Sequence, residues 1–177
     1  MENRGACRAL PARALFALAL ISIGACGAGA QGNGHGSEPS ARLETFLGPD
    51  TISLIAATDR VEPFLLRNSL VSDAGNPGTV SGYVWKARGA DLAPAVVADL
   101  KKMMLDGTSY DFDMAKKCVM VPEFALRLHA GLRHLDVLIS FSCNTWTFQV
   151  GRDGRLEDFD PVAGRMKAIV ETVFRMD

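Results

Sequence analysis

Residues 118–143 constrain the fold more than any other stretch of this chain. From Cys118 to Leu128 every even-numbered residue is apolar: Cys118, Met120, Pro122, Phe124, Leu126 and Leu128. Past a short turn the odd-numbered residues take over: Leu135, Val137, Ile139, Phe141 and Cys143. The opposite parity carries Glu123, Arg127, His129, Asp136, Ser140 and Ser142. Successive side chains on a strand point to opposite faces, so this exchange of parity across a turn marks a hairpin with one apolar face.

Residues that face each other in an antiparallel pair have a constant sum of numbers. A tight turn at Ala130-Gly131 sets that sum to 261 and brings Leu126 opposite Leu135, Phe124 opposite Val137 and Cys118 opposite Cys143. A longer turn sets it to 263, which leaves the cysteines diagonal and lets His129 face His134. Both registers turn both thiols to the core face, within reach of a disulfide. Thr145 to Val150 continues as a third strand with Trp146, Phe148 and Val150 inward. Gly151-Arg-Asp-Gly154 is its turn, and Arg155 to Phe159 returns as a fourth strand.

Two helices have clear periodicity. The first spans about Ala93 to Asp106, with Asp91 at or just before its cap, Pro94 in the first turn and Gly107 as its stop. Val96, Leu100 and Met103 form its stripe. The second opens at Asp160-Pro161, with Asp160 as cap, and places Val162, Met166, Ile169, Val170 and Val173 on one face. Arg42 to Leu47 reads as a short helix or turn. Thr51 to Ala57 fits strand or helix. Val61 to Arg67 reads as an edge strand because of Pro63. Asn68 to Gly78 has the turn chemistry of a loop, and Thr79 to Lys86 reads as one strand. The expected fold is α+β: an antiparallel sheet with a C-terminal β-meander and two main helices packed on one face.

The N-terminus carries an address. Arg4, Arg8 and Arg13 precede an apolar run from Ala14 to Ala25 that closes on Ile23-Gly24-Ala25-Cys26. This resembles the lipobox of bacterial lipoproteins, at which signal peptidase II cuts before a cysteine already carrying diacylglycerol. The resemblance implies a signal peptide over residues 1–25, lipidation at Cys26 and anchoring in the cell envelope. Gly27 lacks the aspartate that retains many lipoproteins in the inner membrane, which favours the outer membrane in a Gram-negative cell. Ala28-Gly29-Ala30 offers an alternative site for ordinary signal peptidase and a secreted or periplasmic product; a retained anchor helix is a third reading. All three put the domain outside the cytoplasm. Residues 26–41 are the modified cysteine and a Gly/Ser/Pro-rich tether. Residues 42–177 form a single domain, large enough for one hydrophobic core.

Removing the signal leaves 16 basic against 19 acidic residues, with no basic block, so nucleic acid is not an expected partner. Of four cysteines, Cys7 leaves with the signal and Cys26 takes the lipid. Cys118 and Cys143 remain as an even pair in an oxidising compartment, the setting of a structural disulfide. A redox-active pair usually uses Cys-x-x-Cys at a helix start, which is absent.

A second resemblance rests on Lys116-Lys117-Cys118 with Pro122, on Val137 to Asn144 ending Phe141-Ser142-Cys143-Asn144, and on Phe159-Asp160 before a terminal helix. This pattern resembles a group of small uncharacterised bacterial proteins and lipoproteins. In that group the second cysteine block often reads Cys-Phe-x-Cys; Ser140 stands here at the first of those positions. The resemblance implies no activity.

Candidate chemistry is sparse. His129 and His134 flank the hairpin turn, where two histidines on paired strands suit a metal, but His129 has the parity opposite to the cysteines. Asp111 and Asp113 would share a face on a strand and suit Ca²⁺ or acid–base work, although no glycine-bearing calcium loop follows. Asp153, Glu157, Asp158 and Asp160 read as a solvated acidic turn. His35 lies in the tether. Ser140 and Ser142 sit on a strand rather than in a Gly-x-Ser-x-Gly elbow, and no phosphate or dinucleotide loop is present. No cofactor or resident metal is expected. The leading expectation is a non-enzymatic, lipid-anchored envelope protein that binds another envelope protein or a wall component, with Tyr83 and Trp85 as an exposed aromatic patch. The alternative is a small metal-binding or hydrolytic enzyme using His129/His134 or Asp111/Asp113.

Overall fold

A computed structural model describes residues 40–70, 78–150 and 153–174. The signal, Cys26, nearly all of the tether, most of the turn-rich segment before Gly78, and Gly151-Arg152 lie outside the described residues. Chain order is α1 (Ala41–Leu47), α2 (Pro49–Ala57), β1 (Arg60–Leu70), β2 (Thr79–Val80), β3 (Tyr83–Arg88), α3 (Pro94–Met104), β4 (Phe124–Ala130), β5 (Arg133–Ser140), β6 (Thr145–Val150), β7 (Asp153–Asp158) and α4 (Ala163–Glu171). The strands form one antiparallel sheet in the order β2-β3-β1-β4-β5-β6-β7. The fold is α+β, and β4 to β7 form the expected meander, although β7 begins at Asp153, inside the segment read as a turn, and ends before Phe159.

The hairpin adopts the 263 register: Phe124 faces Ile139, Leu126 faces Val137 and His129 faces His134. Its loop is Gly131-Leu132, with Gly131 at φ 60°. Positive φ at the first central residue is the demand of a II′ turn, whose twist matches that of the flanking strands. The even residues of β4 and odd residues of β5 then enter the main core with Trp146 and Phe148, both fully buried. All four helices cover this face, through Leu43 and Leu47 of α1, Ile55 of α2, Leu100 and Met103 of α3, and Met166 and Val170 of α4. Each such side chain contributes roughly 1.5–3 kcal/mol by leaving water.

One open reading is decided and several local expectations are corrected. Thr51 to Ala57 is helical, started by Pro49 in the first turn of α2. Asp91 does not cap α3; the cap position is Ala93, and Asp91 pairs with Arg88 instead. The helix ends at Met104, and Gly107 opens a 3-10 turn in which Asp106 accepts the Thr108 N–H. Pro63 lies in an interior strand, since β1 pairs on both sides. The Pro63 carbonyl accepts from Gly89 N at 2.9 Å on the β3 side. A strand residue turns its nitrogen and carbonyl to the same side, so the missing N–H falls where β3 has already ended at Arg88.

Thr79 to Lys86 is not one strand. Ser81 and Gly82, at φ 48° and 84°, make a two-residue turn between Val80 and Tyr83. Two successive positive φ values are the I′ pattern. The resulting β2–β3 hairpin curls over the sheet face opposite the helices, and Ser81 Oγ donates to Asp136 Oδ2 on β5 at 2.9 Å. Under it lies a second apolar cluster of Phe64, Leu66, Val80, Ala125 and Leu138. Tyr83 and Trp85 pack on this cluster half-buried and do not form an exposed patch.

The other departure concerns the first arm of the hairpin. Its alternation begins at Cys118, but β4 begins at Phe124. In the 263 register Met120 would pair with Cys143, and that residue sits in the turn 141–144 beyond the end of β5. Pro122 also lacks an N–H for a ladder. Residues 115–122 therefore form a strap without backbone–backbone hydrogen bonds among the described residues. Cys118 is consequently exposed rather than on the core face, while Cys143 is buried.

Candidate functional site

The residues that carry the second resemblance meet at one corner, where the strap, the turn 141–144 and the entrance to α4 converge. Cys118 and Cys143 form a disulfide with their Cα atoms 6.0 Å apart. Lys116 Nζ donates to the Cys143 carbonyl at 2.9 Å and lies 2.6 Å from Asp158 Oδ2 and 2.8 Å from Asp160 Oδ2. Asn144, at φ 50°, donates from Nδ2 to Asp160 Oδ1 at 2.7 Å and accepts the Phe159 N–H at its carbonyl. Asparagine tolerates this left-handed conformation better than most residues. Burial would lower the Lys116 ammonium, but its bonds to Asp158 and Asp160 outweigh that and raise it. Lys116 and then Asn144 hold the Asp160 carboxyl below its ordinary range.

Asp158 corrects the reading of a solvated acidic turn: it is 3% exposed. Its Oδ1 accepts the Asp160 N–H at 2.8 Å, so it is Asp158 that tethers the start of the 3-10 turn, while the Asp160 side chain turns to Lys116 and makes no helix cap. Glu157 is half-buried, and burial pushes its carboxyl up.

Beside this corner a cleft of about 670 Å³ opens between the 141–144 turn and α4. Phe124 and Phe141 supply its apolar lining, and Glu123, Asn144, Lys167 and Glu171 its polar lining. Glu123 accepts the Phe141 N–H at 2.8 Å and the Ser142 N–H at 3.3 Å, which fixes the turn that forms one wall. A Cβ added at Gly164 would meet open space there. The size suits a small molecule or a short peptide segment: apolar lining for an apolar group, polar lining for orientation.

The histidines lie elsewhere. His129 and His134 face each other with ring centroids 6.2 Å apart. His129 Nε2 is 3.0 Å from Glu62 Oε2, and Glu62 Oε1 accepts from Arg60 at 2.5 Å and Arg88 at 2.8 Å. Burial would raise the Glu62 carboxyl, but Arg60, His129 and Arg88 together bring it down to about 2. Arg127 clamps Asp136 with two bonds, of 2.7 and 2.9 Å. Asp111 and Asp113 are not on a strand. Asp111 Oδ1 accepts the Asp113 N–H at 3.3 Å, and Asp113 pairs with Arg42 at 3.0 Å. Arg42 holds the Asp113 carboxyl below its ordinary range. Neither aspartate meets a histidine through these contacts, and among the described residues no group of three His, Cys, Asp or Glu side chains is arranged to hold a metal. Ser140 and Ser142 bond to each other at 2.9 Å.

Sequence reasoning about chemistry passed over Glu62, Lys116 and the Arg127–Asp136 pair. The one signal that pointed to Lys116 was its place in the resemblance; charge pattern alone does not separate it from Lys117, which is exposed. No protein-family model, curated protein or solved structure matches the chain.

Proposed function

We propose that this chain is a lipid-anchored binding domain of the bacterial cell envelope, held to the membrane through Cys26 and engaging an envelope protein or wall component through the cleft beside α4. The anchor rests on the lipobox-like Ile23-Gly24-Ala25-Cys26. The Cys118–Cys143 bond suits an oxidising compartment. The observation that carries the binding reading is the contrast between two kinds of surface. Glu62, His129, Arg127, Asp136, Asp111 and Asp113 are engaged with protein partners at 3.3 Å or less, whereas the cleft combines Phe124 and Phe141 with Lys167 and Glu171, exposed charges that pair loosely with each other at 3.9 Å in an open depression. The Gly27 position favours the outer membrane in a Gram-negative host.

Two experiments test this. Cys26→Ala in the full chain should abolish incorporation of a palmitate analogue and release the protein from the membrane fraction. Unchanged labelling removes the anchor. A photo-crosslinking residue in place of Lys167 should give one discrete adduct in cells, and Gly164→Trp should suppress it by filling the cleft. An adduct that persists with Gly164→Trp moves the binding surface elsewhere.

A further inference from the structure

The two sulfurs of the disulfide belong to residues in unlike surroundings. Cys143 is 5% exposed, in a turn fixed by Glu123 and flanked by the Lys116 corner. Cys118 is exposed, in the middle of the strap 115–122. No backbone–backbone hydrogen bond among the described residues ties that strap down. Its attachments are side chains. Lys116 holds one end and buried Pro122 the other. Between them stand the disulfide and Met120, whose sulfur accepts from Thr147 Oγ1 at 2.9 Å and which packs on the Phe64/Leu138 cluster. The outward positions carry Lys117 and Val119, the latter 84% exposed. The covalent bond that fastens the middle of the strap thus joins an exposed residue, Cys118, to a buried one, Cys143.

We propose that Cys118–Cys143 is an exchangeable clasp, opened by a dithiol reductant that attacks Cys118 and releases the strap from the outer apolar cluster. A thiolate of the reductant forms a new sulfur–sulfur bond to Cys118 Sγ. The Cys118–Cys143 bond breaks, and Cys143 leaves as a thiolate that takes a proton from solvent. The second thiol of the reductant then attacks the mixed disulfide. Cys118 returns to a thiol, and the reductant departs as its own disulfide. Exchange favours the more accessible sulfur, which here belongs to the exposed residue of the pair. With the clasp open, Met120 is free to withdraw from Phe64 and Leu138, which exposes part of the second apolar cluster while the helix-covered core stays closed. This inference is independent of the cleft and of the lipid anchor.

The test uses the full chain purified without reductant. Brief exposure to glutathione, followed by acid quenching and peptide mapping, should place the mixed disulfide on Cys118 in at least tenfold excess over Cys143. In a second arm the protein is reduced, its thiols are alkylated, and methionine oxidation by dilute peroxide is timed. Met120 should oxidise at least fivefold faster than in the untreated protein and well ahead of Met103, 1% exposed in the main core. Adducts on Cys143, adducts without preference, or no adduct at all overturn the proposal. So does a Met120 rate that does not change. Met103 oxidising as fast as Met120 also overturns it, because the whole domain then opens rather than the strap alone.

Discussion

Replacing Lys116 with methionine tests the Lys116 corner directly. The substitution keeps most of the side-chain volume and removes one charge with three contacts. The contact with Asp160 counts for little, because that carboxylate is 44% exposed and exposed ion pairs contribute about 0–1 kcal/mol. The bond to the Cys143 carbonyl contributes roughly 1.5–3 kcal/mol as a hydrogen bond to a charged donor. The contact with Asp158 decides the outcome. That side chain is 3% exposed, and among the described residues its Oδ2 has no hydrogen-bond partner apart from this ion contact. Removing one member of a buried pair strands the other, at a cost of about 3–5 kcal/mol. Lys116→Met should therefore destabilise the domain by about that amount, which corresponds to a fall in Tm on the order of 10–20 °C for a domain of this size. Urea unfolding followed by tryptophan fluorescence measures it, since Trp146 is fully buried. Adding Asp158→Asn to Lys116→Met should recover much of the loss, whereas Asp160→Asn alone should cost no more than about 1 kcal/mol. A loss below about 1 kcal/mol for Lys116→Met, or a double variant no more stable than the single, would refute the argument.

Three further outcomes follow from other parts of the molecule. The disulfide closes a loop with a sequence separation of 25, and chain-entropy arithmetic gives about 3.5 kcal/mol for a loop of that length, so Cys118→Ser should lower the free energy of unfolding by that order in denaturant titrations. Glycine substitutions should have opposite signs: a Cβ at Gly89 collides with Val173 and sits tightly against Phe174 and Pro63, so Gly89→Ala should cost about 1–3 kcal/mol, whereas Gly164→Ala, in open space on α4, should gain about 0.5–1 kcal/mol by thermal melting. The Glu62 carboxyl is held at about 2, below its ordinary value, so the ionised form stabilises the fold above pH ~4.5 and that contribution disappears as pH falls towards 2. It amounts to up to about 3 kcal/mol. Glu62→Gln should flatten the stability profile between those limits, and an unchanged slope would assign the acid sensitivity to other carboxylates.

The apolar alternation from Phe124 to Phe148 was enough to define the meander, because side-chain direction alternates along each strand by itself. The stripes of α3 and α4 were legible for the same reason, with the period of 3.6. Which of the two hairpin registers forms was not readable from the strands, since both bury the same side chains; the backbone of Gly131-Leu132 decided it. The same alternation continued into Cys118, Met120 and Pro122, where it no longer meant a strand. Pairing needs a partner at the right height, and β5 had already ended in the turn 141–144. Pro63 marked an edge correctly in its chemistry, but only the sheet order revealed that the edge is local, a place where β3 gives out beside an interior strand. Of the polar residues, the cysteine pair was accessible to counting. Glu62 with His129, Lys116 with Asp158, and Arg127 with Asp136 were harder to foresee, because a charge acquires its partner and its burial from long-range packing. Composition and periodicity thus determined the meander, the two main helices and the apolar face they share. The curl of the β2–β3 hairpin, the unpaired strap and the cleft beside α4 were decided by how those elements meet, because each is a relation between segments far apart in the chain.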